Sequence, residues 1–259
     1  MANPALTEKT FAPERLRALS PEVVGGPATT EEIWRTRMTL EGVILKSVSL
    51  FPILLVTAWF GWNSVGRSEL GVQIPGWLLL GVLGGFGIAI LTIFKPKVSP
   101  YTAPAYAAVE GLVLGAISAV YNARYEGIVV QAVMLTAAVF VIMLGLYSSR
   151  TVRVTDRLRK GVIAATLAVM AVYLVSIVMR LFGAEVPMIH DNGPVGILFS
   201  LAVVGIASFN LLLDFDLVEK GVAAGAPKWM EWYASFALLV TLVWLYLELL
   251  RLLSKLRSR

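Results

Sequence analysis

Long apolar runs recur along the whole chain and are separated by short polar stretches. A helix rises about 1.5 Å per residue, so roughly 20 apolar residues cross the ~30 Å hydrocarbon core of a bilayer. Seven such runs lie at about residues 39–62, 76–95, 102–122, 127–148, 161–183, 193–213 and 229–250. They predict an all-α membrane protein in which a seven-helix bundle fills residues 39–253.

The two ends of the chain depart from this pattern. Residues 1–38 are rich in Pro, Gly and charged residues, which is typical of a tail without a core of its own. Thr29 and Glu32 form a capping-box pattern, which predicts a short interfacial helix near the end of this tail. No apolar signal-peptide segment precedes residue 39, so we expect the first span to direct insertion. Residues 254–259 form a basic carboxyl-terminal tail.

Composition supports the membrane assignment. The chain is 58% hydrophobic with a mean hydropathy of +0.77. Only 15% of its residues are charged, whereas soluble domains have about 25%. The net charge of +5 suits basic residues at an anionic lipid surface, and the chain lacks the basic face that nucleic acid requires. We therefore expect the lipid bilayer as partner, and no nucleic acid.

The basic residues also predict an orientation. Most of the 22 Lys and Arg residues fall on the side of the amino terminus, and the densest group lies between Arg150 and Lys160. The positive-inside rule places this side in the cytoplasm. The basic carboxyl-terminal tail would be better placed inside if the last segment were re-entrant, so a re-entrant segment is the alternative to seven full spans.

Several classes of enzyme are excluded by the residues present. Cysteine is absent, which removes disulfides, thiolate catalysis and cysteine metal sites. The single histidine, His190, lies in a loop, so neither a zinc-binding histidine pair nor a Ser-His-Asp triad can form. Lys228 precedes the last span and Lys255 follows it, so no lysine within that span can carry a retinal Schiff base. We expect no enzymatic activity and no cofactor.

Carboxylates at the ends of the last two runs are the best functional clue. A charged residue costs roughly 2.5–3.5 kcal/mol at the centre of a membrane helix and is usually retained for ion or proton handling. We expect at least two of these acids to share protons, or to pair with a cation such as Arg153 or Lys160, and so to form a pH-sensitive gate. The candidates are Asp214, Asp216, Glu231 and Glu248.

Spacing distinguishes the members of this group. Asn210 and Asp214 are four residues apart and share a helical face, whereas Asp216 points about 200° away from Asp214 on a regular helix. Oxygen ligands suit Ca²⁺, so Asp214 and Asp216 are candidate calcium ligands. Alternatively, the two aspartates cap the loop between spans six and seven, and Glu231 is a solvated acid at a helix start.

Two further ionisable residues lie inside predicted spans. Glu110 stands midway along the third span and Lys46 inside the first, at depths where a charge needs a partner or water. Each is either half of a structural ion pair or part of a polar pathway. Beside Glu110, the small residues Gly111 and Gly115 predict close helix packing.

Several stretches resemble the signature of the Bax-inhibitor family. They are EGLVLGAIS at 110–118, IVVQAVMLTAAVF at 128–140, DFDLVEKG from Asp214 and LYLELLRLL from Leu245. The resemblance implies a bundle in which the last helix is central and a pH-sensitive Ca²⁺ leak is closed by an aspartate pair of helices six and seven. Asp214 matches the first aspartate. The second position is Glu248 if the LYLE stretch is matched, or Thr241 if the LLR endings are matched without a gap.

Two functions of different class remain. One is a cation leak, with Ca²⁺ as the expected permeant ion. The other is an interaction protein that restrains a membrane protease or another membrane complex, as resemblance to the YccA-like bacterial branch implies. That reading places specificity in the amino-terminal tail. Either way, the resemblance and the charge distribution predict the bacterial cytoplasmic (inner) membrane with the amino terminus inside.

Overall fold

A computed structural model describes residues 36–68, 71–182 and 193–258. The predicted tail up to residue 35 and the loop that carries His190 lie outside these ranges. The described part contains seven long helices, which are α1 (Leu40–Asn63), α2 (Leu78–Phe94), α3 (Ser99–Arg124), α4 (Ile128–Ser148), α5 (Asp156–Leu181), α6 (Pro194–Ala223) and α7 (Met230–Arg257). A 3-10 turn at Pro96–Val98 precedes α3, and a small antiparallel hairpin joins α1 to α2 through β1 (Gly66–Ser68) and β2 (Gly71–Gln73).

Each predicted apolar run forms one of these helices. Six of them are long and apolar enough to cross a membrane, and α2 is equally apolar but has 17 residues. The prediction of an all-α membrane bundle is therefore confirmed, and the chain is an integral membrane protein.

The sixth helix extends ten residues beyond its apolar run. The apolar run stops at residue 213, yet α6 continues to Ala223, so Asp214 and Asp216 lie inside the helix and do not cap its end. The extension contains no proline, and an ion pair of 2.9 Å between Asp216 and Lys220 joins successive turns within it. The chain turns away only at Gly225, whose φ of +65° a glycine adopts without strain.

The last helix is also longer than its apolar run. It continues without interruption over 28 residues from Met230 to Arg257. This continuity argues against the alternative in which the last segment is broken and re-entrant, so that the basic carboxyl-terminal tail lies inside. In its most apolar stretch 56% of the residues are buried, as in the stretch that contains α3, compared with 11% for α1 and α4.

The described residues divide into two compact units. The first unit contains 36–124 and 216–240, so it holds α1 to α3, the end of α6 and the start of α7. The second unit contains 125–215 and 241–258, with α4, α5, most of α6 and the rest of α7. The last helix thus supplies core residues to both units.

Glycines set the packing of the first unit. A Cβ added at Gly111 or Gly115 of α3 would overlap the α1 backbone at Leu54 or Ala58. The start of α7 packs beside these helices, where Phe236 contacts the Tyr106 ring edge to face with centroids 5.0 Å apart. Close approach of α1 and α3 therefore depends on small residues at the contact.

Substitution of Gly115 by alanine is expected to destabilise the protein. The added methyl group must push α1 away from α3, and overpacking of this kind costs about 1–3 kcal/mol. Gly145→Ala in α4 is the matched control, because a Cβ there meets no atom within 4 Å. Melting temperatures in detergent should fall for Gly115→Ala and stay near wild type for Gly145→Ala; equal melting temperatures would contradict the close contact.

Candidate functional site

Asp214 is a buried acid of the second unit. Its side chain is fully buried, and the Thr241 hydroxyl of α7 donates a 2.6 Å hydrogen bond to Asp214 Oδ2. Packing of Val162 of α5 against the neighbouring Leu213 fixes this turn of α6. Asp214 is therefore hydrogen-bonded to Thr241, which is the second position of the family signature when the LLR endings are matched without a gap.

Asn210 lies one turn before Asp214 and is also buried. Its Nδ2 donates to Thr166 Oγ1 at 2.9 Å and to the Ile206 carbonyl at 2.8 Å. Because a carbonyl accepts only from the amide nitrogen, these contacts fix the orientation of the amide. Asn210 Oδ1 accepts no hydrogen bond within the described part of the chain. A buried carbonyl oxygen of this kind is an available ligand for water or a cation.

Glu248 belongs to a separate contact further along α7. Tyr173 of α5 donates to Glu248 Oε1 at 2.8 Å, and Arg251 Nη1 lies 2.8 Å and 3.0 Å from the two carboxylate oxygens. Arg251 also donates to the Tyr173 hydroxyl. The carboxylate is thus neutralised by its own ion pair. It lies seven residues from Thr241, about 10 Å along a regular helix.

The buried face of α5 carries polar groups that the sequence reasoning missed. Arg153 and Lys160, the predicted cation partners, are exposed, whereas Arg159 between them is 8% exposed. Three- and four-residue steps lead from Arg159 through Val162 to Thr166 and, two turns on, to Tyr173, so one helical face holds them all. The helical periodicity of the sequence is therefore the signal that would identify Arg159 as a buried residue.

Glu231 forms the polar centre of the first unit. It is fully buried and accepts hydrogen bonds from the Thr39 backbone nitrogen at 2.9 Å and the Thr39 hydroxyl at 3.0 Å. Lys228 lies 2.9 Å from Oε1, and Lys46 pairs with Oε2. A Cβ at Gly42 would overlap the carboxylate, so glycine leaves the room that this acid occupies. Glu231 is therefore a doubly paired internal acid and not a solvated helix start.

Asp216 is the remaining candidate of the predicted gate. It belongs to the first unit, is partly exposed and pairs with Lys220 of its own helix. Within the described ranges, no group of three or more His, Cys, Asp or Glu residues comes close enough to hold a metal ion. Calcium binding by Asp214 and Asp216 stays a prediction.

The sequence was also compared with known proteins. A family model described as Bax inhibitor 1 like matches residues 3–258, which is nearly the whole chain. Neither the curated proteins nor the solved structures include a significant match. The family match covers α1 to α7 and includes both the Asp214 to Thr241 contact and the Glu231 cluster. The chain therefore belongs to the Bax inhibitor 1 like family.

Proposed function

We propose that this protein is a proton-sensitive cation leak that the contact between Asp214 and Thr241 holds closed, with Ca²⁺ as the expected permeant ion. The observation that carries the proposal is a fully buried aspartate inside an apolar membrane helix, which accepts a hydrogen bond from a side-chain hydroxyl of the next helix. A carboxylate at such depth is expensive and is usually retained for ion or proton handling.

The chemistry follows from the protonation state of this one acid. An ionised carboxylate accepts a short, charge-assisted hydrogen bond from a hydroxyl, and protonation weakens that bond. The contact between α6 and α7 in the second unit therefore responds to pH. In this proposal Glu248 and Glu231 have supporting roles, since each is already paired with basic residues.

Oxygen atoms near the contact suit a hard cation. Asn210 presents a buried carbonyl oxygen one turn before Asp214, and Thr166 and Thr241 add hydroxyl groups from α5 and α7. Ca²⁺ takes carboxylate, carbonyl and water oxygens as ligands. We propose that a cation released from the closed contact passes along these groups.

Ca²⁺ flux into liposomes that contain only the purified protein tests the proposal. Asp214→Asn is expected to change the leak several-fold and to remove most of its pH dependence, because the amide does not titrate. Thr241→Val is expected to raise the leak, because the hydrogen bond that closes the contact is lost. The matched control is Asp216→Asn, whose acid lies on the same helix, paired with Lys220, and should alter little.

Flux that equals that of protein-free liposomes, or equal flux and pH profile in all variants with the protein correctly inserted, would contradict the leak. The better account would then be the interaction protein, which modulates a membrane protease or another membrane complex. We also propose a bacterial cytoplasmic membrane location with the amino terminus inside, on the strength of the basic residues around the segment between α4 and α5.

A further inference from the structure

Glu110 is an ionisable group that the proposed leak does not use. It lies near the middle of α3 in the first unit, and its side chain is partly buried. Within the described part of the chain, its carboxylate takes part in no hydrogen bond or ion pair. This distinguishes Glu110 from Asp214, Glu231 and Glu248, each of which has a side-chain partner.

The carboxyl group packs against a glycine of α2. A Cβ added at Gly85 would lie 3.0 Å from Glu110 Oε2, so the absence of a side chain at Gly85 makes the room that the carboxyl group occupies. The neighbouring Gly81 is equally restricted, since a Cβ there would meet Val113 of α3 at 2.9 Å. The carboxyl group is thus held at the contact between α2 and α3.

The cations of the helices around Glu110 are Lys46 of α1, which is bound to Glu231, and Arg124, which lies fourteen residues further along α3. Helix α2 has no ionisable residue, and the ionisable residues of α1, Glu41 and Lys46, lie in its first two turns. On α3 itself, the Tyr106 hydroxyl is one turn away. The part of α7 in this unit contributes Tyr233 and Glu231, and Glu231 is already bound to two lysines.

We propose that Glu110 is a proton-binding site within the membrane, at the contact between α2 and α3. An ionised carboxylate without a counter-ion is strongly disfavoured in an apolar medium, so the group takes up a proton and packs as a neutral acid against Gly85. Loss of the proton creates a charge that has to draw water or a cation into this contact. Packing of α2 on α3 therefore depends on the proton, independently of Asp214.

A hydrophobic carbodiimide tests the proposal on the full chain in liposomes. With dicyclohexylcarbodiimide, the carboxyl proton moves to a nitrogen of the reagent and the carboxyl oxygen bonds to its central carbon. Transfer of the acyl group to nitrogen then leaves a stable N-acylurea. Peptide mass spectrometry is expected to find this adduct on Glu110, with a yield that falls several-fold as the pH rises. Glu248 is the internal control, because its ion pair with Arg251 should keep it unmodified.

Infrared spectroscopy gives a second reading that does not require entry of a reagent. The wild-type protein should show a carbonyl band of a protonated carboxylic acid at neutral pH, and Glu110→Gln should lose it. If neither the adduct nor the acid band depends on Glu110, the proposal is overturned. Both measurements are independent of ion flux, so their outcome and that of the leak experiment are separate.

Discussion

Replacing Glu231 with glutamine is expected to destabilise the protein more than any other single change proposed for it. Glutamine keeps the shape of the side chain and an acceptor for Thr39, but it removes the charge that Lys46 and Lys228 share. Lys46 is only 21% exposed and lies within an apolar helix, so it would be left without a counter-ion. Breaking a buried ion pair from one side costs about 3–5 kcal/mol.

The measurement is the melting temperature of the purified protein in detergent. Glu41→Gln is the matched control, because Glu41 is an exposed acid in the first turn of the same helix that holds Lys46. The double variant Glu231→Gln with Lys46→Met should recover part of the loss, since it no longer buries an unpaired lysine. If the Glu231→Gln protein has the same melting temperature as the Glu41→Gln control, the ion pairs of Glu231 contribute little to stability.

Hydropathy predicted the seven helices of the chain, but not where those helices end. All seven runs became helices because roughly 20 apolar residues in lipid have no other way to satisfy their backbone hydrogen bonds. Helix α6 continues past Asp214 because helix termination depends on the backbone, and the stretch from Asp214 to Ala223 contains no proline and no residue with positive φ. A hydropathy minimum and a helix end are therefore separate signals.

The sequence identifies several of the individual site residues. It does not identify the residues with which they pair. Depth in an apolar run is enough to select Asp214, Glu110 and Lys46 as unusual. The contact of Lys46 with Glu231 joins residues 185 positions apart, and no local pattern contains such a pairing. Helical periodicity places Arg159 on the buried face of α5, whereas its position in a basic segment does not distinguish it from its exposed neighbours.

Thr241 marks a particular departure from what the family resemblance implied. The resemblance suggests two aspartates between helices six and seven, and leaves either Glu248 or Thr241 at the second position. The hydroxyl of Thr241 is the group that contacts Asp214, at 2.6 Å from Oδ2. Because the contact contains one carboxylate and one hydroxyl, there is no second carboxylate with which Asp214 could share a proton. The proposed leak of this protein should therefore follow the titration of a single group.

Replacing Thr241 with aspartate is expected to give the leak a second titration step. The new carboxylate would lie within hydrogen-bond distance of Asp214, and two acids this close lose their protons in two coupled steps that belong to the pair. The Ca²⁺ leak in liposomes, measured across acidic to neutral pH, should then change over a wider range and in two stages. Thr241→Asn is the control, because its side chain has the same size and does not titrate. If the Thr241→Asp and Thr241→Asn profiles coincide while both proteins insert and melt normally, position 241 does not share a proton with Asp214, and the contact between them is structural.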